Sequence, residues 1–218
     1  MSSETLAFDV YGTLIDPHAI VVRLEGYLGD RAIRFSQIWR SKQLEYSFRR
    51  GLMGAYEDFS VVTRDALGYT NKLLETELSN KVQEHLLDDY TRLSAYDDVP
   101  DALTKLRVEG RALYAFSNGH PRDLQSLLDH AGLTDLLDGI VSVDDVASFK
   151  PDARVYKHFN KLTNTQPSRT RLVSSNAFDI AGAQACGWNA TWLQRDESLV
   201  FDSWGELPNT IVISLSSL

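Results

Sequence analysis

The chain has 218 residues, with 22 basic and 30 acidic side chains and a formal net charge of −8 at pH 7. Hydrophobic residues make up 43% and charged residues 24%, proportions that are typical of a globular protein and exclude disordered, collagen-like and coiled-coil sequences. The negative charge, with no Lys/Arg run of five or more, disfavours binding to nucleic acid or to an anionic membrane surface.

The first ten residues, MSSETLAFDV, contain neither the basic start nor the long apolar run of a secretory signal. The single cysteine, Cys186, excludes an internal disulfide and a multi-thiolate zinc site. No run of 18 apolar residues occurs in the sequence, so a membrane-spanning helix is not expected. We therefore predict a cytoplasmic protein.

Short apolar runs predict the strands of a sheet. The first run covers residues 5–10 and contains Asp9 near its end. Four further buried strands are predicted at 112–118, 139–144, 171–176 and 189–194, and a last run at 210–215 predicts an edge strand. Continuous apolarity over so few residues is typical of parallel strands buried on both faces.

Helical patterns separate these runs. Residues 17–95 contain apolar side chains at helical spacing and no convincing strand. After residue 97, helices are expected to begin near Pro100, Pro121 and Pro151 and to alternate with the strands. The pattern predicts an α/β fold: a Rossmann-like, doubly wound parallel-sheet core domain (1–16 and 96–218) with an inserted helical cap subdomain (17–95), here called the cap.

Residues just beyond the strand ends are the candidates for chemistry, because an open parallel sheet binds ligands at the carboxyl ends of its strands. In chain order they are Asp9, Tyr11, Thr13, Ser117, Asn118, Lys150, Ser174, Asn176 and Asp179. The sequence has no Gly-x-Ser-x-Gly pattern, phosphate loop or dinucleotide fingerprint. An aspartate nucleophile is the simplest interpretation, since a carboxylate can attack carbon or phosphorus to give a covalent intermediate.

Four segments resemble, in order, the motifs of the haloacid dehalogenase superfamily: FDVYGTLID, FSNG, FKPDARVY and VSSNAFDIAGA. Most members are magnesium-dependent phosphatases in which a second aspartate follows the nucleophile by two residues and acts as general acid and base. That position is Tyr11 here, and a phenol with a reference pKa of about 10 cannot replace the carboxylate. Because halide leaves without protonation, the replacement favours carbon–halogen cleavage.

The sequence is most similar to the L-2-haloacid dehalogenases, and this resemblance implies a role for each matching residue. Asp9 would attack C2 of the substrate with inversion, supported by Thr13 and oriented and ionised by Lys150. Ser117 would bind the substrate carboxylate. The remaining positions match a halide cradle (Arg40, Asn118 and Phe178), a group that activates water (Ser174, Asn176 and Asp179), a further active-site position (Tyr156), and a pocket for the C2 substituent (Tyr11, Leu44 and Phe59).

The resemblance also implies short 2-haloalkanoate substrates, no cofactor, no metal and a homodimer. Two residues depart from the pattern: Ser41 stands where well-known relatives have glutamine, and Phe178 stands where some have tryptophan. Both positions are expected near the substrate pocket. Two other functions stay open: a divergent phosphatase or phosphonate hydrolase, and a non-catalytic binding protein. Considered singly, Asp9 is typical of a turn residue and Lys150 of a solvated loop residue.

Overall fold

A parallel sheet of six strands forms the centre of the computed structural model, which describes residues 4–202 and 205–218. Residues 1–3 and 203–204 of the predicted core domain lie outside the described residues. The strands are β1 (Thr5–Phe8), β2 (Ala112–Ser117), β3 (Gly139–Ser142), β4 (Thr170–Ser174), β5 (Asn189–Leu193) and β6 (Thr210–Val212). Their spatial order is β3-β2-β1-β4-β5-β6, which confirms the doubly wound α/β prediction and the edge position of the last strand.

Eight α-helices complete the described fold. They are α1 (Val21–Leu28), α2 (Ala32–Met53), α3 (Phe59–Leu73), α4 (Asn80–Tyr90), α5 (Val99–Val108), α6 (Pro121–His130), α7 (Ala153–Thr163) and α8 (Ala177–Ala185). The first four form the cap, and the last four alternate with the strands. Among the described residues, no helix is both long and apolar enough to cross a membrane.

Strand β1 lies at the centre of the sheet, between β2 and β4. Phe8 pairs with Ala115 of β2 on one side and Val173 of β4 on the other. The next amide along the chain, Asp9 N, donates to the carbonyl of Val173 over 3.0 Å. Residues that follow these three strands therefore meet at one edge of the sheet.

Helix α7 begins later than the sequence suggested. Pro151 was expected near its start, but the first helical residue is Ala153 and the N-cap is Asp152. The Asp152 carboxylate accepts a hydrogen bond from Arg154 N over 2.8 Å, as an N-cap aspartate does. Pro151 instead follows a cis peptide bond after Lys150.

The chain enters and leaves the cap at neighbouring points. Asp16 N donates to Ser94 O and Tyr96 N donates to Leu14 O, each over 3.1 Å, so these two connections run antiparallel beside each other. We propose that the domain boundaries lie here, at the predicted 16/17 and 95/96 junctions. Elsewhere the cap contacts the core domain through Tyr56, whose hydroxyl donates to Asp144 over 2.6 Å.

Candidate active site

Asp9 lies directly after β1, and its side chain is only 8% exposed. Lys150 Nζ donates to Asp9 Oδ1 over 2.8 Å and is itself 1% exposed. The same ammonium donates to Asp179 Oδ2 over 2.6 Å and to the carbonyl of Phe116 over 3.0 Å. All three of its N–H bonds are thus used, and the direction of the lysine side chain is fixed.

The other carboxylate oxygen of Asp9 is held by two neutral donors. Thr13 Oγ1 donates to Oδ2 over 3.0 Å, and Asn176 Nδ2 donates to the same atom over 2.8 Å. Thr13 Oγ1 in turn accepts from the backbone amide of Ser175 over 2.9 Å. Residues from three separate parts of the chain therefore fix the carboxylate in one orientation, as an efficient nucleophile requires.

Asp179 lies in the first turn of α8 and is completely buried. Its Oδ1 accepts from the hydroxyl of Tyr156 over 2.7 Å, while Oδ2 accepts from Lys150. Although burial acts to lower the pKa of Lys150, the charges of Asp179 and Asp9 outweigh it and raise that pKa. Lys150 therefore carries its positive charge throughout the neutral range.

Arg40 brings a second cation from α2 of the cap. Its Nη2 donates to the carbonyl of Tyr11 over 3.2 Å, and the guanidinium carbon lies 5.9 Å from the centre of the Tyr11 ring. Its Nη1 is buried and has no hydrogen-bond partner among the described residues. A buried guanidinium N–H without a partner is a suitable donor for an anion.

The ring of Tyr11 forms part of an aromatic wall. It stacks on Tyr90 at 5.5 Å and lies 6.0 Å from Phe59, and its burial raises the pKa of the phenol. A cavity of about 60 Å³ adjoins this wall. The described residues that line it include Tyr11, Phe59 and Leu87 but not Leu44, which is half-buried on α2 one turn after Arg40.

The other predicted residues have supporting contacts. Ser117 Oγ accepts from Gly119 N over 3.1 Å, and Asn118 Oδ1 accepts from Lys150 N over 2.9 Å. Ser174 Oγ accepts from Asn176 N over 3.1 Å. These contacts shape the loops after β2 and β4.

Phe178 and Ser41 mark the two departures from the expected pattern. Phe178 is half-buried and packs edge-to-face against Phe48 of the cap, with ring centres 4.9 Å apart. Ser41 is exposed to solvent on α2 and does not line the described cavity. Phe178 thus lies at a contact between the cap and the core domain.

The family model described as "haloacid dehalogenase-like hydrolase" matches residues 4–187, which include every predicted site residue. The chain belongs to the haloacid dehalogenase-like hydrolase family. Among curated relatives it is 39% identical over 213 residues to the (S)-2-haloacid dehalogenase of Pseudomonas sp. (strain YL), covering 98% of this chain and 91% of the relative. It is 38% identical over 192 residues to the (S)-2-haloacid dehalogenase of Xanthobacter autotrophicus, covering 88% of this chain and 75% of the relative.

Solved structures of haloacid dehalogenase-like hydrolases have the same fold. The L-2-haloacid dehalogenase from Xanthobacter autotrophicus with chloropropionic acid covalently bound matches with a TM-score of 0.93 and 32% identity, over 99% of this chain and 96% of that one. The magnesium-bound YfnB from Bacillus subtilis matches with a TM-score of 0.72 and 19% identity, and this match supports the fold alone.

Many haloacid dehalogenase-like hydrolases use magnesium, so the charges that surround the carboxylates of this site are relevant to metal binding. Mg²⁺ prefers six oxygen ligands in octahedral geometry. Asp9 and Asp179 are both hydrogen-bonded to the Lys150 ammonium. Within the described ranges, no group of three or more His, Cys, Asp or Glu side chains converges. Lys150 already supplies, beside these two carboxylates, positive charge of the kind that a Mg²⁺ ion would supply.

Sequence analysis missed two residues that contact this site of the haloacid dehalogenase-like fold. Tyr90, at the end of α4, stacks on Tyr11, and its hydroxyl donates to Gln43 over 3.0 Å. Arg195, two residues after β5, donates to the carbonyl of Thr13 over 2.6 Å. The position of Arg195 just beyond a strand end was the signal that could have identified it.

Proposed function

We propose that this protein is a hydrolytic dehalogenase that converts short (S)-2-haloalkanoates to (R)-2-hydroxy acids and halide through an ester on Asp9. The observation that carries the proposal is the buried Asp9 carboxylate, held by Lys150, Thr13 and Asn176, with Tyr11 rather than a carboxylate two residues later. The site therefore has a fixed nucleophile but lacks, two residues later, the carboxyl group that would protonate an alkoxide leaving group. This combination suits a leaving group that needs no proton.

In the first step, an oxygen of Asp9 forms a bond to C2 while the carbon–halogen bond breaks and the halide leaves with the electron pair. Attack from the side opposite the halogen inverts C2. The buried, partnerless Nη1 of Arg40 is available to the departing anion. Stabilisation of developing charge by a preorganised donor is a large contribution to catalysis in a water-excluded site.

In the second step, a water oxygen bonds to Cγ of Asp9 and the bond between Cγ and the bridging oxygen breaks, so that the oxygen which attacked C2 leaves with the product. One proton of the water passes to the hydroxyl group of the product and the other to solvent, which restores the Asp9 carboxylate. Because C2 takes no part in this step, the overall result is a single inversion. Asn176 and Asp179, on either side of the Asp9–Lys150 pair, are the proposed groups that hold this water.

The substrate panel that tests the proposal contains fluoro-, chloro- and bromoacetate and both enantiomers of 2-chloropropionate. We expect halide release from the chloro and bromo compounds and from the (S) enantiomer of the propionate, with (R)-lactate as product. A single turnover in ¹⁸O-water tests the ester, since label should first enter Asp9 and be absent from the product. Label in the first-turnover product would contradict the ester route.

A metal-dependent phosphatase or phosphonate hydrolase is the alternative within the same superfamily. Full activity toward 2-chloropropionate after EDTA treatment would separate the two, because the proposed reaction needs no divalent ion. Magnesium-dependent hydrolysis of p-nitrophenyl phosphate without halide release would favour the alternative. Equal activity of wild type and Asp9→Asn in every assay would favour a non-catalytic binding protein.

We also propose a homodimer in the cytoplasm. Three apolar side chains of α2, Ile33, Leu52 and Met53, are 58%, 92% and 71% exposed. Leu52 and Met53 are adjacent at the C-terminal end of α2, and burial of this apolar end of the cap against a second copy of the chain is the proposed dimer contact. Light scattering after gel filtration should give twice the chain mass of 24.5 kDa.

A further inference from the structure

Arg195 connects three parts of the chain beside the nucleophile. Its Nη2 donates to the backbone carbonyl of Thr13 over 2.6 Å, and its Nη1 donates to Asp98 Oδ1 over 2.7 Å. The guanidinium also lies 4.1 Å from the centre of the Tyr96 ring. The side chain is only 13% exposed, so these contacts lie mostly away from water.

We infer that Arg195 is a positioning residue that acts through Thr13 to hold the Asp9 carboxylate in its reactive orientation. The effect that we expect on turnover rests on the proposed dehalogenase function. Among the described residues, the side chain of Arg195 contacts Thr13, Asp98 and Tyr96, of which only Thr13 touches Asp9, so Arg195 is not itself a catalytic residue.

The turn formed by residues 10–15 explains why the carbonyl of Thr13 matters. Within this turn the amides of Thr13, Leu14 and Ile15 all donate to the carbonyl of Val10, which folds the chain tightly. The peptide group after Thr13 then sets where the Thr13 side chain points. The hydrogen bond from Arg195 fixes the Thr13 carbonyl and so keeps Thr13 Oγ1 directed at Asp9 Oδ2, 3.0 Å away.

Asp98 keeps the guanidinium in place from the opposite side. Its second oxygen, Oδ2, accepts from Ser214 Oγ and from Leu215 N, each over 2.8 Å. The planar fork of Arg195 presents its N–H groups in fixed directions and reaches Asp98 and Thr13 at the same time. The C-terminal residues are thereby linked to the nucleophile turn through one carboxylate and one guanidinium.

The same arginine contacts the segment that returns from the cap. Tyr96 provides the ring under the guanidinium, and its amide donates to Leu14 O over 3.1 Å. A disturbance at Arg195 should therefore loosen the Thr13 end of the turn, whereas Tyr11 keeps its ring contacts with Phe59 and Tyr90 in the substrate pocket. The kinetic consequence is a loss in kcat with little change in KM.

The test compares Arg195→Met and Arg195→Lys with the matched control Arg171→Met. Arg171 forms a comparable half-buried pair with Glu4 over 2.8 Å, at the start of β4 and so at the opposite end of the sheet. Halide release from (S)-2-chloropropionate gives kcat and KM. Hydrogen–deuterium exchange of the peptide that contains residues 9–16 gives a readout that does not depend on activity.

For Arg195→Met we expect kcat to fall about ten- to a hundredfold with KM within about threefold of wild type, since small misplacement of a reacting group has effects of this size. Amides of the 10–15 turn should exchange at least about tenfold faster. Arg195→Lys should recover part of kcat, and Arg171→Met should change neither readout. If Arg195→Met does not fold, Arg195→Lys provides the test by itself, and we expect its kcat to be about threefold or more below that of wild type.

Wild-type kcat and wild-type exchange in a folded Arg195 variant would overturn the inference, as would a raised KM with unchanged kcat. Faster exchange in Arg171→Met equal to that in Arg195→Met would also overturn it, because the effect would then be a general loss of stability. Absence of halide release by the wild type would contradict the proposed function instead, and the exchange data would still decide whether Arg195 holds the turn.

Discussion

Lys150 Nζ lies 2.8 Å from Asp9 Oδ1, although the two residues are 141 positions apart in the sequence. Asp9 follows β1, and Lys150 lies in the connection between β3 and α7. The third donor bond of the lysine, to the Phe116 carbonyl of β2, fixes the ammonium against the sheet. Asp9 and its cation are thus part of the same buried framework that holds the core domain together.

Replacement of Lys150 by Met should therefore affect both folding and turnover. It would leave the carboxylates of Asp9 and Asp179 buried without a cation, which typically costs about 3–5 kcal/mol. We expect the free energy of unfolding in urea to fall by this amount and kcat to fall at least about a thousandfold. Lys157→Met, at an exposed position of α7, is the control, and its free energy of unfolding should stay within about 0.5 kcal/mol of that of wild type. An unchanged urea midpoint for Lys150→Met would contradict the prediction.

Halide should stabilise the folded protein through Arg40. If its partnerless Nη1 binds the leaving anion, chloride or bromide should raise the melting temperature more than an equal ionic strength of sodium gluconate does. Arg40→Met should remove this difference. Arg49→Met, at an exposed position on the same helix, should keep it. Differential scanning calorimetry across a halide titration gives the measurement, and a halide effect retained in Arg40→Met would contradict the assignment.

Gly182 of α8 should tolerate no side chain. A Cβ there would lie 2.7 Å from Pro151 Cβ and would overlap the hydroxyl of Tyr156, which donates to Asp179. We expect Gly182→Ala to lower the free energy of unfolding by about 1–3 kcal/mol and to reduce kcat, because Tyr156 must move. At Gly68 in α3 an added Cβ would have no neighbouring atom within 4 Å, so Gly68→Ala should instead raise the free energy of unfolding by about 0.5–1 kcal/mol. Equal stability changes for the two variants, measured by urea unfolding, would contradict this explanation.

The N-cap of α7 should make folding sensitive to acid. The hydrogen bond from the Arg154 side chain is the main cause that lowers the pKa of Asp152 to about 2 from its usual 3.8. A lowered pKa contributes stability that is present above pH 3.8 and is lost as the pH falls through about 2. Asp152→Ala should therefore cost about 1 kcal/mol at pH 7 and much less near pH 2. Ser79→Ala, at the N-cap of α4, should show a cost that does not vary with pH.

The strands and the central site were predictable from the sequence because both depend on local signals. Short apolar runs define β1 to β5, and parallel topology then brings together the residues that follow them, such as Asp9 and Asp179. The start of α7 was misjudged because proline marks a helix start only when the next residue does not provide a better cap. Asp152 does so, and the helix begins after it.

Contacts between the cap and the core domain could not be predicted in this way. Tyr90 reaches Tyr11, and Phe48 reaches Phe178, because of the angle at which four helices pack over the sheet. That angle results from many side chains acting together, and no single spacing encodes it. Ser41, expected near the pocket, is exposed for the same reason: its neighbour Arg40 occupies the inward face of α2.

The two connections to the cap lie against each other at Ile15 and Ala95, and this gives the cap the topology of a closed loop. The core domain would need only a short turn at this point to become continuous without the cap. Exchange of the whole 17–95 segment for another would then replace Arg40 and Phe59, which lie over the site, while the strand register that sets the position of Asp9 stayed the same.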